Sequence, residues 1–156
     1  LNALFKYTYL TDLATPGQLT VTSVTPDYSQ RCHVVSADAT YDLFPKLSVG
    51  GKYALRLGLV QMGRDDGSAW FSSTEHLVIM RLDWHVVRKW DFVTEGRFLE
   101  IVEAGDSRIG TLLALYRHIN KNFKFGGGYN FTDYSDNLTD LSYRSHGWFV
   151  NALANF

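Results

Sequence analysis

Cysteine is almost missing: Cys32 is the only one in 156 residues. That excludes a disulfide framework and a thiolate metal centre. Proline is nearly as scarce, with Pro16, Pro26 and Pro45 the only three. Neither sign of charge dominates, since 15 Lys+Arg stand against 16 Asp+Glu. No strongly basic surface follows, so nucleic acid is not an expected partner. Long hydrophobic runs are absent too. The longest, Leu112-Leu113-Ala114-Leu115-Tyr116, falls far short of the roughly 20 residues of a spanning helix. No signal peptide is visible, and Leu1 opens directly into a strand pattern. The expectation is a mature form, or a segment cut from something longer.

What the chain does have is aromatics, at 15%, together with 13 glycines and a dominant period of two. In Leu47 to Val60, one face carries Val49, Gly51, Tyr53, Leu55, Leu57 and Leu59. The other carries Ser48, Gly50, Lys52, Ala54, Arg56 and Gly58. Helical spacing would scatter Lys52 and Arg56 across the apolar stripe, whereas a strand separates them. The same alternation runs from Ala3 to Tyr9, from Arg31 to Phe44, from Phe123 to Thr132 and from Gly147 to Phe156. It is less clean from Glu75 to Val87, where Leu77 and Ile79 join the polar side, and from Trp90 to Glu103. Arg108 to Asn120 is apolar on both faces apart from Thr111 and Arg117, with Arg117 counted on the polar face, and it reads as a strand by analogy with its neighbours.

Eight strands of roughly 10 to 14 residues are therefore expected. Soluble strands usually run about 5 to 6 residues, while a tilted membrane strand needs about 9 to 11. Connections alternate in length. Pro45-Lys46, Arg88-Lys89 and Lys121-Asn122 are tight, and Ala104 to Ser107 is short. Thr11 to Gln30, Arg64 to Thr74 and Tyr134 to Ser142 are long. Short turns on one side and long loops on the other are the habit of outer-membrane barrels. The fold expected is all-β: one domain over residues 1–156, an antiparallel up-and-down transmembrane β-barrel of eight strands. Closure would pair Ala3–Tyr9 with Trp148–Ala154, because unpaired edges are not tolerated in hydrocarbon.

Charge placement supports a membrane barrel over a soluble sandwich. Acids and bases nearly balance on the polar faces, and the opposite faces carry almost none over their central residues. In a small barrel the polar face points inward, where desolvated charges must be paired. An interior charge network is expected from Lys52, Arg56, Arg81, Asp83, Glu95 and Arg97. Tyr53, Leu55, Leu57, Leu82, Phe125, Tyr129 and Val150 are expected to face lipid. Aromatics gather toward both strand ends, as interfacial girdles do. Tyr41, Phe44, Trp84, Trp90, Phe92, Tyr116, Phe123, Phe125 and Phe156 fall on the tight-turn side. Tyr7, Tyr9, Phe98, Tyr129, Phe131, Tyr143 and Trp148 fall on the loop side.

The stretch Gly128-Tyr129-Asn130-Phe131-Thr132-Asp133-Tyr134-Ser135-Asp136-Asn137-Leu138-Thr139-Asp140-Leu141, followed by Gly147-Trp148-Phe149 and a final Phe156, resembles the C-terminal outer-membrane β-barrel regions of large proteobacterial surface proteins. Leu4 to Leu10, Gly50-Gly51-Lys52-Tyr53, Leu82 to Val87 and Trp90-Asp91 are similar to the same pattern. The resemblance implies a Gram-negative outer-membrane location and no catalytic residues. It implies that Phe156 is a signal read by the barrel-assembly machinery, with Ala154 departing from the bulky residue usual there.

Candidate chemistry is thin. Ser142, Ser145 and His146 suggest a lipid hydrolase, but Ser145 and His146 point to opposite faces of a strand and no orienting acid follows. His85 and His118, near tight turns, read as interfacial or interior hydrogen-bonding groups. Asp133, Ser135, Asp136, Asn137 and Asp140 are oxygen-rich but lack the order and final bidentate Glu of a calcium loop. Gly126-Gly127-Gly128 precedes no helix, so it marks close packing or a bend and not a phosphate site. No cofactor, metal or catalytic residue is assigned. The expected function is a non-enzymatic membrane anchor or structural barrel displaying extracellular loops. The alternative is a porin, or the C-terminal strands of a larger transport barrel. Outer-membrane lipids, the assembly machinery and other subunits or upstream domains of the same protein are the expected partners.

Overall fold

The computed structural model describes residues 1–12, 28–62, 69–87, 89–120, 122–132, 134, 138 and 146–154. Eight strands follow one another: β1 (Asn2–Asp12), β2 (Tyr28–Phe44), β3 (Leu47–Met62), β4 (Trp70–Val87), β5 (Trp90–Ile101), β6 (Asp106–His118), β7 (Phe123–Asn130) and β8 (Gly147–Ala154). Each pairs antiparallel with the next, so the fold is all-β, one up-and-down sheet in sequence order. No helix occurs among the described residues.

Strand lengths depart from expectation in both directions. β4 reaches 18 residues and β2 reaches 17, whereas β7 and β8 have 8 each. β4 begins at Trp70, well before Glu75, because Trp70 to Thr74 continue the ladder with β3 from Gln61↔Trp70 onward. Trp70-Phe71-Ser72-Ser73-Thr74 holds aromatic and β-branched residues that suit a strand. It has no apolar/polar parity, so alternation could not reveal it.

One face of this sheet is buried although, among the described residues, no second sheet or helix covers it. A single sheet achieves that only by curling around the buried face. Arg56 is 0% exposed and its neighbour Leu57 is 49% exposed. Cys32, Val34, Ala54, Leu77, Ile79, Val93, Leu99, Ala114 and Tyr116 are all buried on the inner side. Tyr53, Leu55, Leu57, Leu82, Phe125, Tyr129 and Val150 all have the opposite, outer parity, and Val150 is 73% exposed. Two residues need correction. Tyr116 is an inner residue packed with Val93 and Ala114, not part of a girdle. Arg117, counted with the polar and therefore inward faces, is outer and lies 5.6 Å from the Trp90 ring. At the other strand end, Arg31 lies 5.3 Å from the Trp70 ring.

The tight hairpins carry a further device. In the β2–β3 hairpin the register shifts between Asp42 and Phe44, and in β4–β5 between His85 and Val87. A bulge opposes two residues to one. Here it brings inner Asp42 opposite inner Ser48, and inner His85 opposite inner Asp91.

The expected pairing of Ala3–Tyr9 with Trp148–Ala154 is not formed. Among the described residues β1 is bonded only to β2, and β8 only to β7. Both edge strands are correspondingly exposed on both faces, as Lys6 and Asn151 illustrate. An even strand number satisfies one condition of closure, but tilt and stagger must match as well. The inner side also holds cavities of 830 and 360 Å³ near the tight turns.

Close approach explains the glycine run. A Cβ on Gly128 would lie 2.1 Å from the Leu113 carbonyl oxygen and 2.8 Å from Ala114 Cα. On Gly126 it would meet the Leu115 carbonyl oxygen at 2.3 Å. Nothing lies within 4 Å of the corresponding position on Gly96. Gly128→Ala should therefore lower stability by about 1–3 kcal/mol through overpacking, while Gly96→Ala should leave it nearly unchanged. Denaturant midpoints of the two variants in detergent micelles check this.

The short β5–β6 turn is tied to β4. The Thr74 amide donates to Glu103 Oε2 at 2.6 Å, and the Val102 amide donates to the Thr74 carbonyl at 3.0 Å. The Thr74 amide bond holds the Glu103 carboxyl below the usual carboxylate range. A lowered native pKa means the stabilisation is present above the ordinary glutamate pKa and lost as pH falls through the native value. The Thr74 amide chemical shift should report that acid transition, and Glu103→Gln should abolish it.

Candidate functional site

The inner face carries the chemistry, in tiers from the loop side to the turn side. Nearest the loops lies a buried knot. Arg56 on β3 stands opposite Glu75 on β4 and donates to Glu75 Oε1 at 2.5 Å. It also donates to Ser73 Oγ at 3.0 Å and to Gln30 Oε1 at 2.9 Å. A guanidinium removed from water requires such partners, since its desolvation is costly.

An apolar belt follows. Cys32, Val34, Ala54, Leu77, Ile79 and Leu99 pack with Tyr134 and Leu138 from the connection between β7 and β8. The Tyr134 hydroxyl donates to the Arg108 carbonyl at 3.3 Å. Leu77 and Ile79, the residues that blurred the alternation of β4, are core residues of this belt. Cys32 belongs to it as well, and a Cβ on Gly58 would sit 2.9 Å from its Cβ.

Beyond the belt is a second charged tier. Arg81 Nε lies 2.9 Å from Asp83 Oδ2 and Arg81 Nη1 lies 3.8 Å from Glu95 Oε1. Arg97 donates to Glu95 Oε2 through Nη2 at 2.7 Å and Nε at 3.1 Å. Lys52 stands opposite Asp38 and lines the 360 Å³ cavity with Arg81, Asp83 and Glu95. Of the six expected network residues, Arg81, Asp83, Glu95 and Arg97 are joined by direct ion pairs. Lys52 shares their cavity. Arg56 is separate, because its partner is Glu75, which the sequence reading did not include.

At the turn-side mouth a third group assembles. His85 Nδ1 is 2.5 Å from Asp91 Oδ1, and His118 Nε2 is 2.7 Å from Asp91 Oδ2. Lys124 Nζ lies 3.5 Å from the same Asp91 Oδ2. The four come from β4, β5, β6 and β7, each within a few residues of a tight turn. They line the 830 Å³ cavity together with Asp42, Ser48, Arg81 and Asp83. The hairpin symmetry His85/Asp91 and His118/Lys124 was the available signal, once a bulge is allowed for in the first.

The other three histidines lie on the outer face, each beside a tyrosine hydroxyl. Tyr7 is 2.7 Å from His33, Tyr53 is 2.8 Å from His76, and Tyr129 is 2.9 Å from His146. In each pair the histidine is two residues from the tyrosine's direct cross-strand partner, in the same diagonal sense. His146 therefore has a tyrosine partner. Ser142 and Ser145 lie outside the described residues, as do Asp133, Ser135, Asp136, Asn137, Asp140, Tyr143 and the assembly-signal residue Phe156.

Two substitutions separate the tiers. Glu75→Gln leaves the buried Arg56 charge without its counter-ion and should cost about 3–5 kcal/mol. Arg81→Met should cost no more than about 1 kcal/mol, as for exposed pairs, because the Arg81 side chain is 48% exposed and Glu95 keeps Arg97. Equilibrium unfolding of both variants tests the ordering.

No family model, curated protein or solved structure matches this chain.

Proposed function

We propose that the chain is a non-enzymatic β-barrel wall of a bacterial outer membrane, serving as a membrane anchor that displays its long connections on the outside. One observation carries this reading: a single sheet places many large apolar residues on its exposed side and its buried ion pair Arg56–Glu75 on the enclosed side. In water that arrangement would leave Phe5, Met80, Ile109 and Val150 unfavourably hydrated, all at least 70% exposed. Hydrocarbon is the solvent that suits them. The two arginine–tryptophan contacts support the same picture. They lie at opposite strand ends, where a cation and an amphipathic ring fit the two headgroup levels. The Tyr–His pairs satisfy each other's polar atoms on the outer face, as a weakly hydrated interface requires.

A second reading has its own support. The open edges of β1 and β8 favour these eight strands as part of a larger barrel, completed by further strands of the same protein or another subunit. The apolar belt with Tyr134 and Leu138 obstructs the inner side on the loop half, which favours an anchor over an open pore.

Reconstitution into phospholipid vesicles tests the proposal. Brominated acyl chains should quench the outer tryptophans Trp84 and Trp148, and a protein that remains in the aqueous fraction would refute the membrane reading. Leu55→Arg should then weaken insertion by about 2–4 kcal/mol if Leu55 lies at the midplane. Leu55→Ala should be far milder, and folding titrations into the vesicles measure the difference.

A further inference from the structure

We propose that His85, Asp91 and His118 form a binding site for a divalent transition-metal ion of the zinc type, entered from the turn-side cavity. The donor atoms His85 Nδ1, an Asp91 carboxylate oxygen and His118 Nε2 all lie within 4.8 Å of one another. Donors around a tetrahedral zinc ion sit roughly 3.3 Å apart, given metal–ligand bonds of about 2.0–2.2 Å. The present contacts of 2.5 and 2.7 Å thus need to open by roughly 0.6–0.8 Å to admit the ion.

The donor set decides the class of ion. Two imidazoles and one carboxylate suit zinc and its transition-metal neighbours, while calcium and magnesium prefer all-oxygen shells. Three protein ligands leave one coordination position free. All three ligands line the 830 Å³ cavity, from which water or a small anion can complete the shell. The ligand-bearing backbone is held in place: the His85 amide donates to the Lys46 carbonyl at 2.8 Å, and the His118 amide to the Lys89 carbonyl at 2.8 Å. The two rings already meet edge to face, with centroids 5.8 Å apart.

Without metal, each imidazole presents a nitrogen to the Asp91 carboxylate, and Lys124 adds a cation 3.5 Å from it. On binding, those two nitrogens must carry no proton, so each ring keeps its proton on the other nitrogen. Lys124 then opposes the metal's charge. It acts as a negative determinant of affinity, and Lys124→Met should tighten binding.

The full chain in detergent micelles, titrated with Co²⁺ and then Zn²⁺, tests the proposal. One saturable Co²⁺ site with ligand-field absorption bands, displaced by Zn²⁺, is expected, and X-ray absorption should count two imidazoles. His85→Gln and His118→Gln should each weaken binding at least roughly tenfold, since even groups behind the ligands contribute that much. His33→Gln, on the outer face beside Tyr7, should leave it unchanged. Failure of the unsubstituted chain to bind saturably would overturn the proposal, as would equal weakening by His33→Gln. Should the glutamine variants lose their strand circular dichroism, the Lys124→Met titration decides: tighter binding supports the site, and unchanged or weaker binding overturns it. The titration does not depend on insertion, so its failure and that of the membrane reading are separately visible.

Discussion

The described structure depends on one sheet with no second sheet or helix laid against it. A sheet normally buries an apolar face against helices or a second sheet. Here the sheet can only enclose its own inner side, and its strands must carry two unlike faces along their whole length. The inner face receives charges that need partners, and the outer face receives the apolar and aromatic residues. The sorting of Arg56 from Leu57, one residue apart, is the smallest unit of that constraint.

Enclosure then sets the energetics inside. The same ion-pair chemistry has different weight at different depths. Arg56 and Glu75 are buried on the loop side of the apolar belt, with no water to replace one another. Arg81 borders two cavities, so solvent screens what it loses or gains. The belt itself is completed by Tyr134 and Leu138, which come from outside the strands. A chain connection thus closes the loop half of the interior, while the turn half stays hollow. That hollowness bears on the open edge between β1 and β8, because wall curvature depends on how tightly inner side chains draw the strands together.

The functional proposals occupy these two halves and faces separately. The proposed membrane anchorage rests on the outer face and its two aromatic levels. The metal proposal belongs to the inner turn-side mouth, where four strands deliver one polar side chain each. Histidine marks the division: three stand outside beside tyrosines, and two stand inside around one aspartate.

Strand identity, face assignment and the tight turns were legible in the sequence, because side-chain parity is a local property of an extended backbone. Leu55 outside and Arg56 inside required only counting by twos. What the sequence could not determine was which inner residues meet. Cross-strand partners depend on register, and register here depends on bulges beside the tight hairpins. Without the shift between His85 and Val87, Asp91 would not stand opposite His85. Glu75 as the partner of Arg56 depended on a ladder that runs beyond the alternating segment. The meeting of β1 and β8 is the most collective property of all, set by tilt and stagger summed over eight strands. Local pattern determined each wall element, and only the three-dimensional summation of their offsets decided which charges pair and where the sheet stays open.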